Sequence, residues 1–163
     1  MFIPAAALGT FTAIAGNDGL VTVATTKVIG TPAASFTPRA SKRAFFKAKL
    51  STSVVATGGV IAGFADVLGT ATKGLTVSLM NGVLTLTNVY GSVSDTANVS
   101  YGVNEQVTIG LEYRPNVGVF AYFNDKAVAR IPVPTFDATN LVAGVYSNGG
   151  TLTVDYFLAS LER

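Results

Sequence analysis

From residue 44 onward, apolar and polar side chains alternate in short runs separated by turn residues. Residues 44–50, 60–66, 75–80, 83–88, 106–113, 117–123, 126–131, 141–147 and 151–161 each fit an extended strand. The clearest run is 106–113. Val107, Ile109, Leu111 and Tyr113 fall on one face, and Gln106, Thr108 and Glu112 on the other, because successive side chains of a strand point to opposite sides. Asn81-Gly82 lies between two such runs and predicts a two-residue hairpin, whose central residues must both accept positive φ. Asn124-Asp125 predicts a second hairpin, and Asn148-Gly149-Gly150 a further reversal. No stretch carries a 3.6-residue period with helix caps. The expected fold is therefore all-β, a two-sheet antiparallel β-sandwich of the jelly-roll kind.

The first 38 residues read differently. They are rich in Ala, Thr and Gly, contain Pro4, Pro32 and Pro38, and offer one strand candidate, 20–25, after the turn signal Asn17-Asp18-Gly19. The expected organisation is an N-terminal arm with one or two edge strands over residues 1–38, followed by the sandwich over 39–163. Phe2, Ile3, Leu8, Phe11 and Ile14 bring apolar surface with no evident partner in the later strand pattern. Docking of the arm on a neighbouring subunit is the simplest use for it.

Charge sharpens that expectation. Only 12% of residues are charged, against about 25% in a typical domain. Either much of the surface meets another protein, or it is polar without being charged. Between Gly19 and Ala65 there is no acid, while Lys27, Arg39, Lys42, Arg43, Lys47 and Lys49 are all basic. Such a cluster suits nucleic acid, an acidic protein neighbour or a solvated strand edge. The last two fit this composition better, so no nucleic-acid partner is expected. Arg39, Lys42 and Arg43 join Phe2, Ile3, Leu8 and Phe11 as candidate partner-binding residues.

The chain has no Cys, His or Trp. Disulfides, thiolate metal sites and every Ser-His-Asp arrangement are excluded. No apolar run approaches the roughly 18 residues of a membrane-spanning helix, and residues 1–17 lack the basic start of a secretion signal. Neither a membrane nor secretion is expected.

The C-terminal half is more specific. The stretches VTIGLEYRPNVGVFAYFNDKAVARI and LVAGVYSNGGTLTVDYFLASLE resemble the last strands of concanavalin A-like and laminin-G-like jelly rolls. The likeness covers roughly residues 44–163 and is one of strand and turn order. The resemblance implies a fold shared by lectins, glycoside hydrolases, adhesion modules and viral structural proteins, bacteriophage decoration and tail proteins among them. Fold alone does not choose between these.

Hydrolases of this fold are expected to carry alternating acids on one strand, Glu-x-Asp-x-Glu. Here the closest acids, Glu105 with Glu112 and Asp155 with Glu162, are seven residues apart. A dyad drawn from two strands, such as Glu112 with Asp125, is the remaining catalytic candidate, and nothing favours it. Calcium needs about 6–8 oxygens, for which Asn116, Asn124 and Asp125 are the local candidates, and turn chemistry explains Asn124-Asp125 better. Asn98-Val99-Ser100 fits the N-glycosylation tripeptide. Glycan stacking has its best candidates in Tyr90 and Tyr101, which flank the polar stretch 91–100, with Asn148 as a polar partner. The alternative role for both tyrosines is as half-buried strand ends.

The expectation is a non-enzymatic virion protein without a cofactor, foremost a phage head decoration (cement) protein. It would be a homo-oligomer, with a trimer as the working guess, seated on the major capsid protein or another virion protein. The alternative is a carbohydrate-binding lectin-like module or a tail-fibre receptor-binding domain.

Overall fold

A computed structural model describes residues 11–13, 21–23, 28–31, 36–55, 58–132 and 140–162. They form thirteen strands: β1 (Phe11–Ala13), β2 (Val21–Val23), β3 (Val28–Gly30), β4 (Ala44–Thr52), β5 (Gly59–Ala65), β6 (Gly74–Met80), β7 (Val83–Asn88), β8 (Val93–Asn98), β9 (Val107–Arg114), β10 (Gly118–Phe123), β11 (Lys126–Ile131), β12 (Val142–Ser147) and β13 (Leu152–Leu161). One short 3-10 turn, Val89–Gly91, links β7 to β8. The strands make two antiparallel sheets, in the orders β1-β2-β13-β4-β9-β10-β11 and β3-β12-β5-β6-β7-β8.

The sheets face each other across the alternating apolar positions. Ala44, Phe46, Ala48 and Leu50 of β4 and Val107, Ile109, Leu111 and Tyr113 of β9 meet Val60, Ala62 and Phe64 of β5 and Leu75, Val77 and Leu79 of β6. Phe46 packs edge-on against Phe64, with ring centres 6.1 Å apart. Burying a side chain of this size contributes about 2–3 kcal/mol. The hydroxyl of the buried Tyr113 donates to the Ala40 carbonyl, which pins the segment before β4 to the sandwich.

Both two-residue hairpins are present. Asn81 and Gly82 have φ of 52° and 71°, and Asn124 and Asp125 have 48° and 64°, as a type I′ turn requires. These turns and residues 148–150 share one end of the sandwich, because Gly59 pairs with Met80, Val60 with Ser147, and Ile109 with Phe123. Residues 39–43, 66–73, 89–92 and 115–117 lie at the other end.

Two features differ from the sequence pattern. The polar stretch 91–100 contains a strand, β8, paired along its length with β7. Its residues are exposed or half-buried, so it has no apolar face to announce it. Asp95 on this edge accepts the backbone N–H of Arg130 at 2.8 Å, which ties β8 to β11 at the edge of the other sheet. In β13, Asp155 is a bulge: Val154 pairs with Leu50 but Tyr156 with Lys49. The bulge resets the alternation, so Leu152 and Val154 point inward before it, and Phe157, Ala159 and Leu161 pack on the core after it. Within 1–38, the described strands join the sandwich itself: β2 pairs with β13, β3 with β12, and Phe36 bridges Leu141.

Candidate functional site

Residues that point away from the core on the larger sheet stand in rows across β13, β4, β9 and β10. One row is Ser160, Phe45, Glu112 and Phe120; the next is Leu158, Lys47, Gly110 and Tyr122. Gly110 leaves a gap in its row, since it is the one position there without a side chain. A depression of about 220 Å³ opens over it, walled by Phe45, Lys47, Thr108, Glu112, Tyr122 and Asp125. A second, of about 380 Å³, shares Phe45 and Glu112 with it and runs on to Arg43 and Glu162. A third, of about 560 Å³, shares Arg43 and Glu162 and adds Phe36, Arg39 and Lys42. The first two depressions make one groove along the outer face, while the third opens at the far end of the sandwich, where its wall includes Phe36, Ala159 and Leu161 from the core side.

The polar groups in the groove are organised. Arg114 Nη2 donates to Glu112 Oε2 at 2.7 Å, and the Tyr122 hydroxyl donates to the same oxygen at 2.8 Å. The Arg114 hydrogen bond holds the Glu112 carboxyl below the usual carboxylate range, outweighing its partial burial. Burial, followed by the neighbouring Glu112, raises the pKa of the Tyr122 hydroxyl. Lys47 Nζ sits 2.7 Å from Asp125 Oδ1, and that hydrogen bond raises the lysine pKa. Beside the groove, the Arg114 and Arg130 guanidiniums lie over the Phe120 ring, 4.8 and 5.4 Å from its centre. Glu112 and Asp125, the two-strand dyad considered from sequence, do line the same depression.

No family model matches the chain, and no curated protein matches it. Solved structures do. The potassium-bound Emp46p carbohydrate recognition domain superposes with a TM-score of 0.68 at 11% identity, over 93% of this chain and 86% of that one. Alginate lyase AlgAT5 of polysaccharide lyase family 7 gives 0.61 at 10% identity, over 94% and 82%. The botulinum neurotoxin serotype G binding domain gives 0.61 at 10%, over 98% of this chain and 42% of that one. The chain thus spans about two-fifths of the length of the toxin binding domains it matches. The fold is a concanavalin A-like jelly roll. At these identities the likeness is one of fold.

On this jelly roll the residues singled out from sequence fall in three places. Arg39, Lys42 and Arg43 come together, all lining the third depression at the end of the sandwich. Tyr90 and Tyr101 do not come together, and they offer no exposed stacking pair. Tyr101 is buried at the hairpin end with its ring against Phe123, and burial raises its hydroxyl pKa. Tyr90 is half-buried against the core at the opposite end. The strand β8 between them carries the chain the length of the sheet. Asn148 is exposed in the β12–β13 turn, where its backbone N–H donates to Gly59. Asn116 and the pair Asn124-Asp125 are likewise at opposite ends of β10 and do not form one cluster. Phe2, Ile3 and Leu8 lie outside the described residues, and Phe11 pairs through its backbone with Val23. The groove residues Phe45, Gly110 and Tyr122 were not singled out from sequence, and Lys47 only as a member of the basic run. Each sits at an outward strand position, but only the order β4-β9-β10 makes them neighbours.

Proposed function

We propose that this chain is a carbohydrate-binding module whose ligand lies in the outer-face groove. The observation that carries the reading is the set around Gly110: an amine, a carboxylate and a phenol hydroxyl spaced over a side-chain-free floor and flanked by Phe45 and Tyr122. A sugar ring presents hydroxyls around its rim and C–H bonds on its faces, so it fits polar groups beside aromatic walls. That the similar folds include a carbohydrate recognition domain and a galectin supports the reading.

The same groups argue for binding without cleavage. A carboxyl acting as general acid needs its pKa raised toward neutrality. Glu112 is shifted the other way, and Asp125 is engaged by Lys47.

Affinity electrophoresis through gels containing soluble polysaccharides, neutral and acidic, tests the reading. The protein should be retarded by at least one of them. Gly110→Val should abolish the retardation; a Cβ there stands 3.3 Å from the Phe46 carbonyl oxygen, a tight contact, so circular dichroism must first show that the variant keeps the fold. Free migration in every gel, or retardation unaffected by the valine, would refute it.

The second reading is a virion protein, such as a head decoration or tail-fibre part, assembled on a capsid neighbour as a homo-oligomer. It is favoured by Leu158 and Tyr156, which expose apolar surface on β13 beside Lys47 and Lys49. Capture by purified capsids, with no retardation by any polysaccharide, would support it over the first.

A further inference from the structure

The outer face of the larger sheet carries charge in matched pairs. Lys47 meets Asp125 at 2.7 Å, Lys49 meets Asp155 at 2.9 Å, and Arg114 meets Glu112 at 2.7 Å. Asp125 is engaged through Oδ1 and Glu112 through Oε2. Each carboxylate has a second oxygen, which can accept a sugar hydroxyl. A uronate or sulfate brought against the same oxygens would be repelled. Lys47 and Lys49, the cations in the rows that cross Gly110 and Thr108, are already engaged.

Aromatic side chains stand on both sides of the Gly110 floor. On β10 it is Tyr122, which walls the depression. On β13 it is Tyr156, in one row with Lys49 and Thr108. The bulge at Asp155 turns Tyr156 outward, and it remains 36% exposed. Tyr156 stands beyond the depression, yet within electrostatic reach of the Lys47 amine. The Asp125 hydrogen bond, and after it Tyr156, raise that lysine's pKa. From β13 across β4 and β9 to β10 there are three inter-strand gaps, about 14 Å at the usual spacing. That is longer than a single sugar ring. A protein segment docked across these rows would strip water from three ion pairs, a cost that apolar side chains do not offset. A sugar chain brings hydroxyls to the same groups and C–H faces to the two tyrosines.

Resting on the sugar-binding reading, we infer that the ligand is a neutral polysaccharide lying across the strands, with one ring over Gly110 and another stacked on Tyr156. The test uses the intact protein and calorimetry. The probes are mannan, β-glucan and their oligosaccharides from disaccharide to hexasaccharide, with alginate as the acidic comparison. At least one neutral polymer should bind about tenfold tighter than alginate or better. Its oligosaccharides should gain affinity beyond the disaccharide, as the chain reaches Tyr156. Tyr156→Ala should lose about tenfold on the hexasaccharide and nothing on the disaccharide, while Tyr156→Phe, which keeps the ring, should bind as the wild type does. Alginate binding as tightly as the neutral polymers overturns the inference. So does an affinity already complete at the disaccharide, or a Tyr156→Ala variant that binds every length like the wild type. These three results leave the site over Gly110 standing, whereas binding to no polysaccharide overturns the reading beneath it.

Discussion

Replacing Gly82 by valine puts the β6–β7 hairpin to the test. Asn81 and Gly82 sit at φ 52° and 71°, and this conformation costs an ordinary L residue about 1–2 kcal/mol. A β-branched side chain suffers more, because its second γ atom crowds the backbone. A Cβ at position 82 would also stand 3.3 Å from the carbonyl oxygen of Val99. Val99 has little room to yield, since its N–H donates to the Gly82 carbonyl at 2.8 Å. The strain sums to about 2 kcal/mol, which for a domain of this size lowers Tm by roughly 4–8 °C. Thermal unfolding followed by circular dichroism measures it. Gly82→Asn serves as the control and should lose less than half as much, because asparagine tolerates the left-handed region. If the valine variant melts with the wild type, or both variants lose the same amount, the turn is not what holds this hairpin.

Three further outcomes follow from other elements. Glu112→Gln should destabilise by about 1 kcal/mol at pH 7. The folded-state pKa of Glu112 is lowered, so this stabilisation is present above the unfolded carboxyl's pKa and fades as pH falls through the folded value. Urea titrations of variant and wild type should therefore converge as the pH is lowered below the unfolded carboxyl's range and through the lower folded value, and a constant gap would count against the Arg114 pairing. Deleting Asp155 should cost about 3 kcal/mol or more, because it turns Phe157 off its stack on Phe46, 6.0 Å between centres. Asp155→Ala, which breaks only the half-exposed pair with Lys49, should cost under about 1 kcal/mol, as urea unfolding would show. Asp95→Ala should speed hydrogen exchange at the Arg130 amide, read by mass spectrometry or NMR, without moving the core.

How much was legible in the sequence follows from where each signal lies. Strands with a buried face, such as β4, β6 and β9, announce themselves by alternation, and the Asn-Gly hairpin by its dipeptide. Strand β8 does not, because Val93 to Asn98 bury neither face and hold their place by the backbone ladder to β7 and the Asp95 bond to Arg130. The phase change at Asp155 is equally silent, since Tyr156 and Phe157 are both apolar and only the register with Lys49 tells which turns outward. The candidate site was the least legible part. Tyr90 and Tyr101 looked like partners because a short polar stretch separates them, and that stretch is the strand that parts them. Phe45, Lys47, Gly110 and Tyr122 are far apart in sequence, and no local pattern says that β4, β9 and β10 lie side by side. The basic run at 39–43 was visible, because it is local.

The position of β13 bears on how this chain acquires its structure. Residues 44–52 of β4 lie between β9 and β13, and their longest ladder is with 152–161. During synthesis β4 emerges with Phe46 and Leu50 ready to be buried, yet one of its two neighbours, β13, follows about a hundred residues later. The larger sheet cannot close until then. Pairings so distant in sequence make folding slow, and in the interval the inner faces of β4 and β9 present apolar surface and open strand edges to other chains. The nascent protein should thus depend on chaperones at the stage before β13 appears, and substitutions in the last strand should alter soluble yield more than they alter the stability of the finished domain.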